Sequence, residues 1–245
     1  MLERLADQLR EDHLEDLVLS PGKSEKPNVT KDPKFATITK LLQPFLGENK
    51  RIPLFPFQDF GVDWLLKTKR GILADDMGLG KTVQAIAATR QLISVGAITR
   101  ALVIAPRSLI FNWQAEYQKW APELTANVLV AGARFEGDAW NRNLESSHIV
   151  ITSYEQIREG FRHVDGRVDL LIADEAHRLR NNDSLQSRGV SSINVDRLWL
   201  LTGTPIERDL DDFLTLMSLV NPTKFGLKNF NQDPELLKLR AKPFL

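Results

Sequence analysis

The sequence predicts an α/β fold: a doubly wound, mainly parallel sheet with helices on both faces, preceded by a helical extension. From residue 70 onwards, short apolar runs alternate with segments of helical periodicity, which is typical of parallel strands joined by crossover helices. A glycine-rich loop joins the first apolar run to the first helical segment. The chain shows no internal repeat and no low-complexity tract, so a single layered domain is the expected core.

The first fifty residues are predicted to form a peripheral helix, a linker and a second short helix over residues 35–46. Leucines recur at roughly helical spacing near the start, until Ser20, Pro21 and Gly22 end the pattern. Six acidic residues against two basic ones in the first twenty indicate a solvated helix face, on which a protein partner could bind. We therefore expect residues 1–50 to be an extension and linker, residues 51–225 the main lobe, and residues 226–245 a short connector.

The main lobe has six apolar runs that are predicted to be strands. They are residues 71–74, 101–105, 127–131, 148–152, 169–173 and 198–202. Six segments between or after them are predicted to be helices: 81–95, 109–120, 140–144, 154–161, 184–193 and 209–220.

Composition bounds the function. With 245 residues, 42% hydrophobic and 26% charged, the chain has the balance of a globular protein. It contains no cysteine, which removes cysteine-zinc sites and disulfides. Its 32 basic and 32 acidic residues balance, so any nucleic-acid contact must be a local patch. Without a secretory signal or a long apolar segment, we expect an intracellular protein with no membrane partner. The lack of a basic tail favours a bacterial cytoplasm over a nucleus.

A phosphate-loop motif follows the first predicted strand. It reads Asp75-Asp76-Met77-Gly78-Leu79-Gly80-Lys81-Thr82, with Asp75 at the position of the usual first glycine. Glycines let backbone N–H groups surround phosphate oxygens, and the following helix directs its partial positive charge at the same anion. Lys81 adds a full charge, worth ~4 kcal/mol at about 4 Å for an effective dielectric of about 20. The Thr82 hydroxyl can bind magnesium.

Two carboxylates, Asp174 and Glu175, follow the predicted strand 169–173. The carboxyl ends of buried parallel strands are where open α/β sheets bind ligands. Asp174 is predicted to hold Mg²⁺, usually through water, and Glu175 to orient or deprotonate an attacking water. With Lys81 they form the predicted catalytic set. His177 either relays the nucleotide state to a nucleic-acid groove or caps the turn.

Six stretches in order resemble the SWI/SNF-type ATPases, helicase-related motors of superfamily two. The resemblance covers residues 54–225 and the last few residues of the chain, and in that family aspartate is usual at the position of Asp75. The stretches are Pro56-Phe57-Gln58 with Gly61-Val62-Asp63-Trp64-Leu65; Leu73 to Thr82; Leu102-Val103-Ile104-Ala105-Pro106 with Asn112-Trp113; Ile151-Thr152-Ser153-Tyr154; Asp174 to Asn181; and Leu201-Thr202-Gly203-Thr204-Pro205-Ile206.

This resemblance implies a RecA-like phosphate-loop lobe, with ATP and Mg²⁺ as cofactors and double-stranded DNA as partner through its phosphate backbone. It implies that Gln58 reads the adenine edge, although a glutamine after Pro-Phe is equally typical of a turn. The nucleotide would also contact Asp76, Met77, Gly78, Leu79, Gly80, Lys81 and Thr82. The coupling residues would be His177, Thr202, Gly203 and Thr204, and the nucleic-acid track would include Pro106, Arg107, Ser108, Thr152, Ser153 and Tyr154.

Several alternatives stay open at this point. Each residue of the track could be a loop or cap residue, and Arg178 and Arg180 could join the patch or be solvated charges. Asp-Glu-Ala-His also occurs in RNA helicases of the same superfamily, and a non-catalytic ATP- or DNA-binding docking module is a third possibility. Phe55 stands where the family often has arginine, and the segment 226–242 is shorter than the family's usual insertion, so the subfamily is undetermined.

The resemblance also implies a second RecA-like lobe that this chain lacks. Residues 239–245 are similar to the start of the family's hinge into that lobe, whose arginines face the γ-phosphate. We therefore expect residues 1–245 to hydrolyse ATP very slowly on their own. The five tryptophans lie mostly at apolar-periodic positions, which favours core packing over base stacking. His13, His148 and His163 have no ligand-like spacing.

Overall fold

The computed structural model of the chain describes residues 18–19, 54–129, 137–160, 168–181, 184–204 and 210–225. Seven strands lie in these ranges: β1 (Val18–Leu19), β2 (Arg70–Leu73), β3 (Ala101–Ala105), β4 (Ala126–Leu129), β5 (Ile149–Ser153), β6 (Leu170–Asp174) and β7 (Arg197–Leu201). The helices are α1 (Pro56–Lys67), α2 (Lys81–Ser94), α3 (Ile110–Trp120), α4 (Gly137–Ser146), α5 (Tyr154–Gly160), α6 (Leu185–Ser191), α7 (Leu210–Val220) and α8 (Pro222–Phe225), with a 3₁₀ turn at Ala176–Leu179.

All seven strands pair in parallel in one sheet, in the order β1-β2-β7-β6-β3-β5-β4. Because successive side chains of a strand point to opposite faces, each of the strands β2 to β7 contributes to two separate cores. One core includes Ile72, Leu102 and Leu200. The other includes Leu73, Val103 and Leu201.

Helices cover both faces of the sheet. The first core also contains residues of α6 and α7, such as Val190 and Met217, whereas the second contains Val62 of α1, Ile86 of α2 and Trp113 of α3. The predicted doubly wound α/β fold is therefore confirmed, and the six predicted strands differ from the observed ones by at most two residues at an end.

Several elements differ from the sequence prediction. Helix α4 begins three residues before and ends two residues after the predicted helix 140–144, and neither α8 nor the 3₁₀ turn is among the predicted helices. Val18 and Leu19, which end the leucine pattern of the predicted first helix, instead form β1 and pair with Ile72 and Leu73 of β2. Helix α1 was not among the predicted helices, because its N-terminal Pro-Phe-Gln was interpreted as a possible turn. The predicted helix over 35–46 and the connector over 226–245 lie outside the described residues. None of the helices that are described is long and apolar enough to cross a membrane.

The guanidinium of Arg70 joins the amino end of β2 to the end of α7. It donates hydrogen bonds to the carbonyl oxygens of Val195 (3.1 Å), Leu219 (2.9 Å) and Val220 (3.1 Å). Leu219 and Val220 are the last residues of α7, whose terminal carbonyls have no intrahelical partner and carry partial negative charge. Burial lowers the pKa of Arg70 from its ordinary value. The side chain thus satisfies three carbonyls that would otherwise be left without donors.

Replacing Arg70 by methionine is expected to lower the free energy of unfolding by about 3 kcal/mol, because three carbonyl groups lose a charged donor. The measurement is equilibrium denaturation of the two proteins. Arg197→Met is the matched control: Arg197 is also the first residue of its strand, but its two bonds, to the carbonyls of Leu66 and Thr68, are both 3.4 Å long. Equal losses in the two variants would contradict the role given to Arg70.

Candidate nucleotide site

The predicted site residues lie in loops at the carboxyl edge of the sheet. In strand order these loops are Asp75–Gly80 after β2, residues 202–204 after β7, residues 175–178 after β6, residues 106–108 after β3 and the start of α5 after β5. Leu201 of β7 pairs with both Leu73 and Asp174, so β2 and β6 flank it. At about 4.8 Å per strand, the ends of β2 and β6 lie about 10 Å apart. Segments a hundred residues apart in sequence therefore converge on one edge.

The phosphate loop is exposed and depends on two glycines. Residues 76–78 are exposed, and Leu79 and Gly80 are half-buried. Gly78 and Gly80 have φ angles of 84° and 78°, a left-handed conformation that side chains rarely adopt. Gly80 is the N-cap of α2, so the free N–H groups of the first turn of that helix face the loop. Thr82 lies half-buried in that first turn. This arrangement suits an anion.

Lys81 closes over the loop. Its Nζ donates hydrogen bonds to the carbonyl oxygens of Asp75 (2.7 Å) and Asp76 (3.1 Å). Only 9% of the residue is exposed. The ammonium is therefore held at the centre of the loop by two neutral carbonyl acceptors. A negatively charged phosphate oxygen could take the place of either carbonyl.

Asp75 occupies the position of the usual first glycine without strain. Glu175 alone has positive φ among the described non-glycine residues, so the backbone at Asp75 does not require glycine. The Asp75 side chain is fully buried, and its Oδ2 accepts a hydrogen bond of 2.8 Å from the Gln84 amide. Burial raises the pKa of this carboxyl, while Gln84 and the charge of Lys81 oppose the rise. Asp75 thus fastens the start of the loop to α2 and does not face the phosphate position.

Asp174 is a buried residue that accepts three hydrogen bonds, two on its carboxylate and one on its backbone carbonyl. Its Oδ2 accepts from the indole Nε1 of Trp113 at 2.8 Å, and its Oδ1 accepts from the backbone N–H of Glu175 at 3.0 Å. Its carbonyl accepts from the hydroxyl of Tyr154 at 2.6 Å. Burial raises the pKa of Asp174, and the Trp113 hydrogen bond and the positive charge of Lys81 oppose this. Lys81 and Asp174 therefore lie within electrostatic reach of each other.

Glu175 is the N-cap of the 3₁₀ turn and has an unusual backbone. Its φ of 50° and ψ of 50° are left-handed, which costs on the order of 1–2 kcal/mol for a residue with a side chain. Its Oε2 lies 3.2 Å from Nδ1 of His177, without the geometry of a hydrogen bond. His177 is thus a neighbour of the predicted water-activating carboxylate, and strain at a residue of this type is typical of functional sites.

Gln58 bonds within the protein. Its Oε1 accepts from the backbone N–H of Phe55 at 3.0 Å, and its Nε2 donates to the carbonyl of Leu79 at 3.1 Å. One acceptor position and one donor hydrogen of the amide remain for a base. The amide therefore connects the start of α1 to the phosphate loop, whatever it does with adenine.

The segment from Thr202 to Thr204 contacts the phosphate loop. A Cβ atom on Gly203 would lie 2.8 Å from Cγ of Met77 and 3.5 Å from Nζ of Lys81. The buried Thr202 hydroxyl accepts from the backbone N–H of Thr204 at 3.2 Å. A side chain at position 203 would therefore require the exposed side chain of Met77 to move. Of the predicted coupling residues, Gly203 therefore lies close to two predicted nucleotide residues, Met77 and Lys81.

The predicted nucleic-acid residues divide into an exposed and a buried group. Arg107 and Ser108 are exposed in the loop before α3, and Pro106 beside them is buried. Thr152, Ser153 and Tyr154 are all buried; the Thr152 hydroxyl donates to the carbonyl of Leu129. Arg178 is exposed, whereas Arg180 forms an ion pair in which its Nη1 lies 3.7 Å from Oδ2 of Asp212. Arg107 and Ser108 thus present side chains to solvent, and Thr152 and Tyr154 use their hydroxyls inside the lobe.

The donor set fits a magnesium-bound triphosphate. Mg²⁺ is usually held by one or two carboxylates, by water and by substrate phosphates. Asp174 would supply one such carboxylate, and the hydroxyl of Thr82 would supply the oxygen that a phosphate-loop threonine offers to magnesium. The described part of the chain has no cluster of three or more metal-binding side chains that would form an all-protein cage. Lys81 and the first turn of α2 would complete such a site for the phosphates.

Sequence reasoning missed the partners of the site residues. It assigned Trp113 only to core packing; the residue is indeed buried, as is Trp199, but Trp113 also donates to Asp174. It did not single out Gln84, which holds Asp75. Proline at the first position of α1, followed by Gln58 bonding back to Phe55, is a helix-start signal that could have identified that helix.

The chain is similar to proteins that act on DNA and chromatin. The SNF2-related domain family matches residues 57–235. The Arabidopsis thaliana protein CHROMATIN REMODELING 25 is 36% identical over 172 residues, which cover 63% of this chain and 18% of that protein. A RAD54-like DNA repair and recombination protein of Drosophila virilis is 31% identical over an aligned length of 252 residues, covering 92% of this chain and 31% of that protein.

Solved structures show the same similarity. The SWI2/SNF2 ATPase core of Sulfolobus solfataricus in complex with double-stranded DNA has a TM-score of 0.66 and 28% identity, over 79% of this chain and 43% of that one. The same core domain in a second structure has a TM-score of 0.65 and 31% identity, over 84% and 44%. The chain thus spans less than half the length of these structures and at most about a third of the two relatives above.

Proposed function

This chain belongs to the SNF2-related family and is a SWI/SNF-type ATPase lobe of helicase superfamily two; from that premise we propose that it binds ATP for a motor that moves along double-stranded DNA. Hydrolysis would drive closure against a second lobe, and the motor would remodel or displace DNA-bound proteins. The names of the relatives, which refer to DNA repair and chromatin remodelling, support DNA as the track. A DNA track also implies an intracellular location.

One observation supports this proposal most strongly: the order of the loops along the carboxyl edge. The phosphate loop, the segment from Thr202 to Thr204 and the Asp174–Glu175 pair follow three adjacent strands, and the exposed Arg107 follows the next one. A nucleotide at one end of this row and a DNA backbone at the other would therefore be linked through contiguous loops.

In the proposed site, each residue type has a defined task. The Lys81 ammonium and the first turn of α2 bind the phosphates. Thr82 and Asp174 would hold Mg²⁺, which neutralises charge on the phosphates and polarises them. Glu175 would orient the attacking water and accept its proton. The contact of Gly203 with Met77 would make the segment after β7 sensitive to the position of the phosphate loop.

The proposed DNA contact predicts a change in salt dependence. Arg107→Ala is expected to reduce the slope of the logarithm of duplex affinity against the logarithm of salt concentration by about 0.9, because one phosphate contact is lost. The measurement is fluorescence anisotropy of a labelled duplex over a range of salt concentrations. Arg142→Ala is the control, since Arg142 is exposed on α4, away from this loop. An unchanged slope for Arg107→Ala would remove Arg107 from the track.

The motor activity is tested with a protein that also contains the second lobe. Its ATPase rate should rise on adding duplex DNA and respond less to duplex RNA, whose A-form backbone and 2′-hydroxyls differ. Lys81→Ala and Glu175→Gln serve as inactive controls. Absence of stimulation by DNA would refute the proposal.

A further inference from the structure

We propose that Trp113 is a positioning residue for the magnesium site: its indole N–H holds the Asp174 carboxylate in the orientation in which that side chain binds Mg²⁺ on the nucleotide. The inference rests on the proposed nucleotide site and adds a residue to it. Trp113 touches neither phosphate nor metal in this view and acts only through Asp174.

The hydrogen bond between Trp113 and Asp174 is buried. Trp113 is 1% exposed and Asp174 is 7% exposed, and 2.8 Å separates the indole Nε1 from Oδ2. The ring is fixed from the other side, because it packs at 6.1 Å from the ring of Tyr117, which is itself fully buried. A rigid donor on α3 thus meets a carboxylate at the end of β6.

The remaining contacts leave room for a metal. The second oxygen, Oδ1, accepts from the backbone of Glu175, so both oxygens have one protein donor each. A carboxylate oxygen has two acceptor positions, and each oxygen therefore keeps one for a metal or a metal-bound water. The Tyr154 hydroxyl fixes the Asp174 backbone, and the Trp113 indole donates the described hydrogen bond that fixes Oδ2 of its side chain.

Pure core packing does not account for an indole at this position. A phenylalanine ring would fill most of the same space, but it would leave a buried carboxylate oxygen without its donor. Groups that hydrogen-bond to metal ligands orient them, and replacing such groups typically costs tenfold to a hundredfold in metal affinity. The expected defect of a Trp113 variant is therefore confined to magnesium.

The test compares nucleotide binding with and without magnesium. ATP affinity of the 245-residue chain is measured with a fluorescent ATP analogue in saturating Mg²⁺ and in EDTA, and the ratio of the two dissociation constants gives the magnesium enhancement. In Trp113→Phe this enhancement is expected to fall by about tenfold or more, with affinity in EDTA changed by no more than about twofold.

Trp199→Phe is the matched control. Trp199 is also fully buried, and its indole donates at 3.1 Å to the carbonyl of Thr68, away from the site. It should lose stability but keep the wild-type enhancement. If Trp113→Phe does not fold, 3-benzothienylalanine at position 113 keeps the shape of tryptophan and removes only the N–H.

The outcomes separate this inference from the proposed function. A wild-type enhancement that persists in the Trp113 variant, or that falls equally in Trp199→Phe, overturns the positioning role while nucleotide binding stands. A wild-type protein that binds no nucleotide in either condition overturns the proposed function, and the positioning role with it. A loss limited to magnesium and to position 113 supports the inference.

Discussion

Lys81→Ala is expected to weaken ATP binding by about thirtyfold to sevenhundredfold, or ~2–4 kcal/mol at 1.4 kcal/mol per factor of ten. The variant loses the full positive charge at the centre of the phosphate loop, while the hydrogen bonds that Lys81 makes to Asp75 and Asp76 are replaced by water. Isothermal titration calorimetry with MgATP measures the change.

The control for this prediction is Lys67→Ala. Lys67 is an exposed lysine at the end of α1, paired with Asp63 four residues earlier, and has no contact with the loop. Its removal should leave ATP affinity within about twofold, because an exposed ion pair contributes little. If Lys81→Ala folds and binds ATP as tightly as the wild type, the phosphate loop is not the nucleotide site.

Adding a second lobe is expected to raise the ATP turnover of this chain by about 10³- to 10⁵-fold, which corresponds to roughly 4–7 kcal/mol of barrier. In the proposed motor, Lys81 would supply positive charge to the phosphates from this lobe, and arginines from the facing lobe would stabilise the charge that develops on the γ-phosphate. The measurement is steady-state ATP turnover of the 245-residue chain and of a protein that includes the second lobe.

Glu175→Gln in the two-lobe protein is the control for chemistry. It should reduce turnover close to that of the single lobe while leaving ATP binding intact, since an amide orients water but cannot accept its proton. Equal turnover of the one-lobe and two-lobe proteins would show that the second lobe contributes no catalytic group.

Local sequence patterns predicted six of the strands of this lobe and its phosphate loop. The six predicted strands were predictable because each is a short, largely apolar run between turn signals. The phosphate loop was predictable because its glycines, Lys81 and Thr82 are contiguous in sequence. What the pattern did not predict was β1, since Val18 and Leu19 directly follow the leucines of the predicted first helix and come just before Ser20, Pro21 and Gly22.

The polar partners inside the lobe could not be predicted from sequence. Trp113 and Asp174 are 61 residues apart, and Arg70 lies 149 or more residues from the carbonyls at the end of α7. Such pairs exist only once the sheet has brought distant segments together, and neither periodicity nor propensity carries that information. The predicted roles of Gln58 and of the track residues stay predictions.

The neighbours of β2 have a consequence for biosynthesis. This strand leads into the phosphate loop, yet it pairs only with β1 and with β7, whose residues 197–201 are made more than 120 residues later. Pairing of strands so far apart in sequence is slow, because the chain loses the entropy of closing a long loop before the contacts that compensate for it have formed. On the ribosome, β2 therefore cannot pair with β7 until residues 197–201 have been made. A nascent chain that ends before residue 197 lacks the strand that lies beside β2 in the finished sheet.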